Sequence, residues 1–286
     1  MASVRVLSLR AVNRAFLARQ MLLEREVLPA GQPDRTARVV QAIEHLVGLQ
    51  AQAPFPPYYG LHSRLDGFRP EDLAALITDR SVVRIALMRG TIHLVSARDC
   101  LPLRRLLQPV IERGMRGAFG PATVRDVQAW SGLTGLKAVL ERLRPSLVTF
   151  RDEQGTELFD LPTAPRPGAD APAPVRLTAE FDNLVLSHAE RSRVVTPEAT
   201  RRLYTINGVI PGAVLVDGFV AGMWRLARNR EEATVVIEMF GPVRRGGAAQ
   251  RDALTAEAER VLAFAAPDGA HRVRFAPLAG EQVRKG

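Results

Sequence analysis

Apolar positions in the first third of the chain recur at spacings of three and four residues, and two β-branched runs follow them. The spacing predicts a helix from Leu9 to about Leu28 and a second helix that begins at Asp34. A third helix, EDLAALITDR, is predicted to start after Pro70. The run SVVRIALMRGTIHLVSA then predicts a β-hairpin that turns at Arg89–Gly90. Three helices and a hairpin are the order of a winged helix, a variant of the helix-turn-helix motif that binds a DNA groove.

The same order of elements returns in the next segment. Thr123 can cap a short helix, VRDVQAW, which Gly132 would end. LTGLKAVLERL predicts a second helix that Pro145 stops. SLVTF and ELFDL then flank the polar turn Asp152–Gly155 and predict another hairpin. We therefore expect two winged-helix units in tandem.

The pattern changes after the second hairpin. The segment PTAPRPGADAPAP has no apolar periodicity and indicates a linker or surface loop. Beyond it, Asp217–Gly218 predicts a tight turn between two strands, ATVVIEMF and HRVRFAP predict further strands, and residues 249–265 predict a helix. The predicted fold class is therefore α+β. Its predicted parts are an N-terminal winged helix (1–113), a second winged-helix unit (114–161), a linker (162–174) and a small, β-rich α+β domain (175–286).

The charge of the chain narrows the class of partner. It carries 39 Lys and Arg residues against 30 Asp and Glu residues, which gives a net charge of +9. An excess of this size favours a polyanion, because neutralised phosphates release condensed counterions. We expect double-stranded DNA as the partner, while winged helices that only dock proteins stay an alternative. The single Cys100, the lack of an apolar window that could cross a bilayer and the absence of a secretory signal favour a cytoplasmic protein that binds no membrane. A monomer is favoured.

Several kinds of catalytic site lack their motifs. No zinc-ligand spacing connects the five histidines, and the sequence contains neither GxSxG nor a Walker-type GxxxxGK[ST]. We therefore expect no metal and no organic cofactor. The histidines are His45, His62, His93, His188 and His271.

The segment LVGLQAQAPFPPYYGLHSR contains an unusual pair of amides. If residues 50–52 are extended, Gln50 and Gln52 point to one side, about 6.6 Å apart. Such a pair can hold a water between a donor and an acceptor, or direct carbonyl dipoles at a developing cation. The alternative is that Gln50 caps the second helix and Gln52 is solvated.

Four segments in the same order resemble one family. VGLQAQAPFPPYYGLHSRL, MRGTIHLVSARD, FGPATVRDVQAWSGL and AEFDNLVLSHAERSRV are similar to segments of the winged-helix DNA glycosylases of the AlkZ and YcaQ type. The resemblance covers most of the chain. It implies an enzyme that removes alkylated purines and unhooks interstrand crosslinks.

The resemblance assigns roles to individual residues. The family's catalytic element is a glutamine, an apolar residue, and then glutamine or aspartate. The resemblance therefore implies that Gln50 and Gln52 position a water and stabilise the sugar cation as the N-glycosidic bond breaks. Neutral amides suit a substrate whose alkylated purine is already cationic and needs little acid catalysis.

The candidate DNA-binding residues come from the same segments. Arg89, Thr91 and His93 match the family's RGTxH hairpin, where contact with phosphate, bracing of the active-site loop and a core or turn role stay open. Asp182, Asn183, His188 and Arg191 match the FDN…SHAxR segment, where a DNA-facing and a domain-gluing role are both open. Tyr58 and Arg64, which follow the glutamines, complete the set.

One departure from the family leaves an alternative function. Family members typically carry a further winged-helix unit between the first one and the GPAT segment, whereas ERGMRGAFGPAT joins the two directly across residues 112–123. A chain shortened in this way could be a catalytically silent winged-helix protein with a DNA-binding or regulatory function. A protein-interaction scaffold is a third possibility, and it would show no salt-dependent affinity for a duplex.

Overall fold

The structure is a computed structural model, and it divides into two compact units. It describes residues 6–30, 34–87, 91–105, 120–131, 134–204, 209–229, 232–241 and 247–276. The first unit comprises Met1–Pro172 and Asp182–Val194, and the second comprises Ala173–Phe181 and Val195–Gly286. The predicted C-terminal domain, 175–286, included residues 182–194, which the structure places in the first unit. The predicted turn at Arg89–Gly90 and the predicted helix end at Gly132 lie outside the described residues.

The N-terminal part of the first unit contains helices and two small sheets. Its elements are α1 (Leu9–Arg19), β1 (Glu26–Val27), α2 (Asp34–His45), β2 (Leu49–Gln50), α3 (Pro56–His62), β3 (Leu65–Asp66), α4 (Pro70–Thr78), β4 (Val82–Ala86), β5 (Ile92–Ser96) and α5 (Ala97–Arg105). Strands β4 and β5 form the predicted antiparallel hairpin, and β2 adds to it in the order β2-β5-β4. Strands β1 and β3 pair in parallel.

The first helix is shorter than predicted. The apolar spacing predicted a helix to about Leu28, whereas α1 ends at Arg19. The carbonyl of Arg19 accepts a hydrogen bond from His45 Nε2 at 2.7 Å, and the carbonyl of Gln20 accepts one from Arg64 Nε at 2.8 Å. These two carbonyls would have accepted the next amides of a continuing helix. The helix itself ends in a left-handed turn, in which Met21 has a φ of +56° and the amides of Met21 and Leu22 donate to the carbonyls of Ala18 and Leu17.

A short helix, α3, follows β2 and was not predicted from the apolar spacing. Its sequence is PPYYGLH, and the two prolines occupy its first turn. Proline is tolerated there, because the amides of the first turn have no partner inside the helix. The winged-helix order α1, α2, α4, β4 and β5 is thus present, with α3 and the short strands β1, β2 and β3 inserted in it.

The second helix–helix–hairpin module follows as predicted. It consists of α6 (Val124–Ser131), α7 (Lys137–Leu143), a 3-10 turn (Arg144–Ser146), β6 (Val148–Arg151) and β7 (Glu157–Asp160), with β6 and β7 antiparallel. Thr123 Oγ1 accepts the amide of Asp126, and Asp126 Oδ2 accepts the amide of Thr123, a capping box at the start of α6. The module has its own core of Ala122, Val127, Leu136, Leu140 and Phe159.

The second unit is built on one five-stranded sheet. Its elements are β8 (Arg176–Leu177), α9 (Pro197–Leu203), β9 (Gly212–Val216), β10 (Phe219–Arg228), β11 (Glu232–Met239), α10 (Gly247–Ala265) and β12 (Ala270–Ala276). The strand order is β12-β11-β10-β9-β8, and α10 connects the parallel pair β11 and β12. Asp217 and Gly218 both have positive φ in the predicted turn. The fold class is α+β, as predicted. Among the described helices, none is long and apolar enough to cross a bilayer.

Candidate active site

Gln50 lies in the edge strand of the three-stranded sheet. It pairs with His93 of β5, and Leu49 pairs with Leu94. The next residue, Ala51, donates its amide to the carbonyl of Ile92 at 2.8 Å. Of the two alternatives left open for Gln50, the extended one is present, since β2 covers Leu49–Gln50. The alternative in which Gln50 caps the second helix is wrong, because α2 ends at His45.

A tight turn holds β2 against β5. Gly48, two residues before Gln50, has a φ of +97°, and a Cβ atom there would lie 2.8 Å from Val95 Cγ1 and 3.0 Å from the carbonyl oxygen of Leu94. Only glycine combines this backbone conformation with so close an approach. The carbonyl of Gly48 accepts a hydrogen bond from Asn183 Nδ2 at 3.1 Å. Asn183 therefore contacts the turn that leads into Gln50.

The amide oxygen of Gln50 is buried and has no hydrogen-bond partner among the described residues. The side chain as a whole is half-buried, and its cross-strand neighbour His93 is fully buried. Directly opposed residues of an antiparallel pair point to the same face of the sheet. A buried acceptor without a donor is energetically costly, so it is a candidate for binding a ligand or a water.

Gln52 plays a different part, because its side chain replaces the backbone in the sheet ladder. The amide of Ile92 donates to Gln52 Oε1 at 3.2 Å instead of to the carbonyl of Ala51. That carbonyl accepts from Arg84 Nη2 of β4 at 2.5 Å. Gln52 is exposed, and no hydrogen bond joins its Nε2 to the part of the chain that is described. Its oxygen is thus anchored, and its two N–H donors are left for solvent or a ligand.

The other predicted residues near the glutamines differ in exposure. Tyr58 is half-buried on α3, and Thr91 is half-buried just before β5. The carbonyl of Thr91 lies 3.1 Å from Nδ1 of His93, and the His93 side chain is fully buried. The burial of His93 favours its core role over contact with phosphate. Arg89 lies outside the described residues.

Arg64 and Asp182 hold each other in the interior. Their side chains are 0% and 2% exposed, and Nη1–Oδ2 and Nη2–Oδ1 are both 2.9 Å apart. Asp182 Oδ1 also accepts the amide of Leu184, which caps the helix α8 (Asn183–Leu186). Neither charge faces solvent. For Asp182 and Asn183, this geometry favours the role of holding elements together over a DNA-facing role. Arg64 was predicted to bind DNA, but its burial against Asp182 gives it the same structural role.

The residues that follow in the FDN…SHAxR segment contact both α1 and the second module. His188 is buried, and its ring packs edge-on against Phe16 with centroids 4.3 Å apart. Arg191 is half-buried, and its Nε lies 3.4 Å from the carbonyl of His188. Two residues not predicted for the site, Arg193 and Asp126, form a buried ion pair at 2.8 Å. Nothing in the sequence distinguishes the buried Arg193 from the half-buried Arg191, because burial depends on the tertiary fold.

Asp126 keeps its charge despite its burial. Burial acts to raise its pKa, but Arg193, His188 and the amides of Glu190 and Thr123 outweigh it and hold the pKa of Asp126 below the ordinary value. Both of its oxygens are occupied by Arg193 and by the amides of Glu190 and Thr123, so the carboxylate anchors this segment.

The glutamines belong neither to a cluster of metal-binding side chains nor to the open cleft of the first unit. Within the described ranges, no group of three or more His, Cys, Asp or Glu side chains could hold a metal ion. An open cleft of about 550 Å³ in the first unit does not include Gln50 or Gln52 in its lining. Its lining residues are Glu26, Val27, Leu28, Pro29, Asp34, Ala37, Arg38 and Gln41. The glutamines thus lie at a strand end rather than in this cleft.

Comparisons with known proteins agree with this description. The family model for AlkZ-like DNA glycosylases matches residues 43–117 and 113–264, two segments that meet within the 112–123 join. Among solved structures, the DNA glycosylase AlkZ of Streptomyces sahachiroi is similar in fold, with a TM-score of 0.73 at 17% identity over 94% of this chain and 100% of that chain. No curated protein sequence matches the chain. The family match spans well over half of the chain, so this protein belongs to the AlkZ-like family of DNA glycosylases.

Proposed function

We propose that the protein is a monofunctional DNA glycosylase that excises cationic, N7-alkylated purines with water as the nucleophile. The observation that carries the proposal is the Gln50–Ala51–Gln52 element at the end of β2. Gln50 offers a buried amide oxygen without a donor, and Gln52 offers exposed N–H donors on an anchored side chain. Both groups are neutral, and they differ in exposure.

The chemistry needs a stabiliser of positive charge more than it needs an acid. Alkylation at N7 makes the purine cationic, so N9 leaves with the bonding electron pair and becomes part of a neutral base. Positive charge then develops on the sugar at C1′, where the Gln50 carbonyl dipole can stabilise it. Water adds its oxygen to C1′ and releases a proton to solvent. The products are the free alkylated base and an abasic site.

Binding is expected to be largely electrostatic, because the chain has a net charge of +9. We propose Tyr58, Thr91 and Arg191 as the described side chains that contact DNA, since each is partly exposed. Arg64, Asp182, Asn183 and His188 are proposed to act from the interior by holding the elements around the glutamines. An interstrand crosslink through N7 of guanine has the same leaving group and is the second substrate to test.

A single-turnover excision assay on a duplex with N7-methylguanine tests the proposal. Gln50→Ala should lower the rate constant about 100- to 1000-fold, the loss typical of one electrostatic stabiliser. Its affinity for the same duplex should stay within about twofold of the wild type. Gln250→Ala, a partly buried glutamine of α10 in the second unit, is the matched control and should excise normally.

Gln52 requires a variant that separates its two contacts. Gln52→Glu keeps an oxygen acceptor for the amide of Ile92 but lacks the N–H donors, whereas Gln52→Ala lacks both. If the donors act on the substrate, both variants lose excision. Wild-type activity in the Gln50→Ala, Gln52→Ala double variant would overturn the assignment.

Two outcomes would favour the other functions. DNA binding without base release by the wild type, on both substrates, would indicate a silent DNA-binding or regulatory protein. An absence of salt-dependent affinity for any duplex would indicate a protein-interaction scaffold.

A further inference from the structure

One aromatic side chain near the glutamines is unusually exposed. Phe55 is 68% exposed. Single exposed aliphatic residues are common on protein surfaces. The other large hydrophobic side chains that are exposed in the described ranges are aliphatic, namely Val6, Leu9, Val27, Ile77, Leu101 and Val209. An exposed phenylalanine ring therefore differs in kind from the rest of this surface.

The backbone that carries Phe55 is strongly restrained. Pro56 and Pro57 follow it in the first turn of α3 and fix two consecutive φ angles. Its carbonyl accepts the amides of Tyr58 and Tyr59 at 3.0 and 3.4 Å. The ring is thus presented by a helix start rather than by a mobile loop tip. A pre-organised group loses little conformational entropy when it binds.

Phe55 also lies close to the proposed catalytic element. It follows Gln52 by three positions, so their Cα atoms are at most about 11 Å apart. Gln52, Pro54 and Phe55 are all exposed. Successive bases of one strand rise by about 3.4 Å, so the amide and the ring are within reach of neighbouring nucleotides.

We propose that Phe55 is a stacking residue, and that its ring binds the face of the base next to the target nucleotide when the target leaves the duplex. The ligand is the π-face of a nucleobase. The proposal rests on the proposed function, since it places the target nucleotide at Gln50 and Gln52. Removal of a base from the stack exposes the face of its neighbour, and an apolar ring that covers that face offsets part of the unstacking cost. Stacking on an aromatic ring is tolerant of base identity, because every base has a π-face.

A binding experiment with a stable abasic duplex tests the proposal without any excision. A tetrahydrofuran residue replaces the target nucleotide, so the neighbouring base face is already uncovered. We measure the preference for this duplex over the matched undamaged duplex. Phe55→Ala should lower the preference about 10- to 100-fold, the range measured for the loss of one aromatic stacking contact. Phe55→Trp should retain it.

The matched control is Leu101→Ala, which removes a side chain of the first unit that is 61% exposed. It should leave the preference unchanged. Loss of the preference in Leu101→Ala to the same extent, or its retention in Phe55→Ala, overturns the proposal. Because Phe55 is exposed, neither variant removes a core contact, and thermal unfolding of both should match the wild type.

The excision assay separates this proposal from the proposed function. If Phe55→Ala excises N7-methylguanine at the wild-type rate and keeps the preference for the abasic duplex, the stacking role is overturned. The assignment of the protein as a glycosylase then still stands. If the wild-type protein excises no base, and Phe55→Ala lacks the preference for the abasic duplex that the wild type shows, stacking is supported although the proposed function fails. In an active enzyme, the defect of Phe55→Ala should shrink when the lesion is mispaired, because a mispaired base costs less to unstack.

Discussion

Asp182 and Arg64, which lie 118 residues apart in the sequence, form a bidentate ion pair in the interior of the first unit. The guanidinium also donates to the carbonyls of Gln20 and Gly60. One arginine thus connects the end of α1, helix α3 and the start of α8. The same aspartate caps the helix whose first residue, Asn183, binds the turn before Gln50. The site therefore depends on residues that do not face the substrate.

Arg64→Ala should lower the free energy of unfolding by about 3–5 kcal/mol, because it leaves the Asp182 carboxylate buried without its partner. Urea unfolding measures this change. Arg38→Ala is the control, since its pair with Glu26 is exposed on both sides, and it should cost less than about 1 kcal/mol. Equal effects of the two variants would show that Arg64 does not carry this structural role.

Asn183→Ala should slow excision about tenfold with little change in affinity for DNA. It removes the hydrogen bond to the Gly48 carbonyl and so loosens the entry to β2. Single-turnover rates at saturating enzyme, set beside a binding isotherm, distinguish the two quantities. A variant with weakened binding and a normal rate constant would instead place Asn183 at the DNA.

Gly48→Ala should destabilise the protein more than Gly67→Ala does. Both glycines have positive φ, so each substitution costs about 1–2 kcal/mol of backbone strain. A Cβ at Gly48 also meets Val95 and Leu94, whereas a Cβ at Gly67 meets nothing within 4 Å. The difference between the two unfolding free energies isolates the close approach of β2 and β5. No difference would mean that the turn shifts to make room.

Asp126→Asn should cost about 3–5 kcal/mol at neutral pH, since it leaves the Arg193 charge buried without a carboxylate. The pKa of Asp126 is depressed in the folded protein, so the stability that its charge contributes is fully present above its ordinary pKa of 3.8. That contribution is lost as the pH falls through the lower folded pKa. The difference in unfolding free energy between wild type and variant should therefore be constant above about pH 5 and narrow below pH 3.8. A difference that widens on acidification would contradict this assignment.

Local sequence patterns correctly predicted the elements whose formation depends on residues close together in the chain. The hairpin β4–β5, the helix cap at Thr123 and the tight turn at Asp217–Gly218 follow from β-branched runs, capping residues and turn residues, and the structure confirms them. These signals involve neighbours in the sequence, so they are visible without the fold.

The errors come from contacts between distant residues. α1 ends early in a left-handed turn at Met21, which is not a glycine and so gives no stop signal, and His45 and Arg64 from distant parts of the sequence bind the carbonyls of Arg19 and Gln20 there. The DNA-binding role predicted for Arg64 assumed a solvated guanidinium, whereas a carboxylate from residue 182 buries it. The anchoring of Gln52 to Ile92 was missed for the same reason, since a side chain that replaces a backbone acceptor leaves no periodic pattern.

The path of the chain through the two units affects how the protein is made. Residues 182–194 complete the first unit, although residues on both sides of them belong to the second. During synthesis, Arg64 cannot form its ion pair with Asp182 until more than a hundred further residues have been added to the chain. No single cleavage can separate the units intact, because a protein truncated at residue 172 would keep the buried cation and discard the anion that neutralises it.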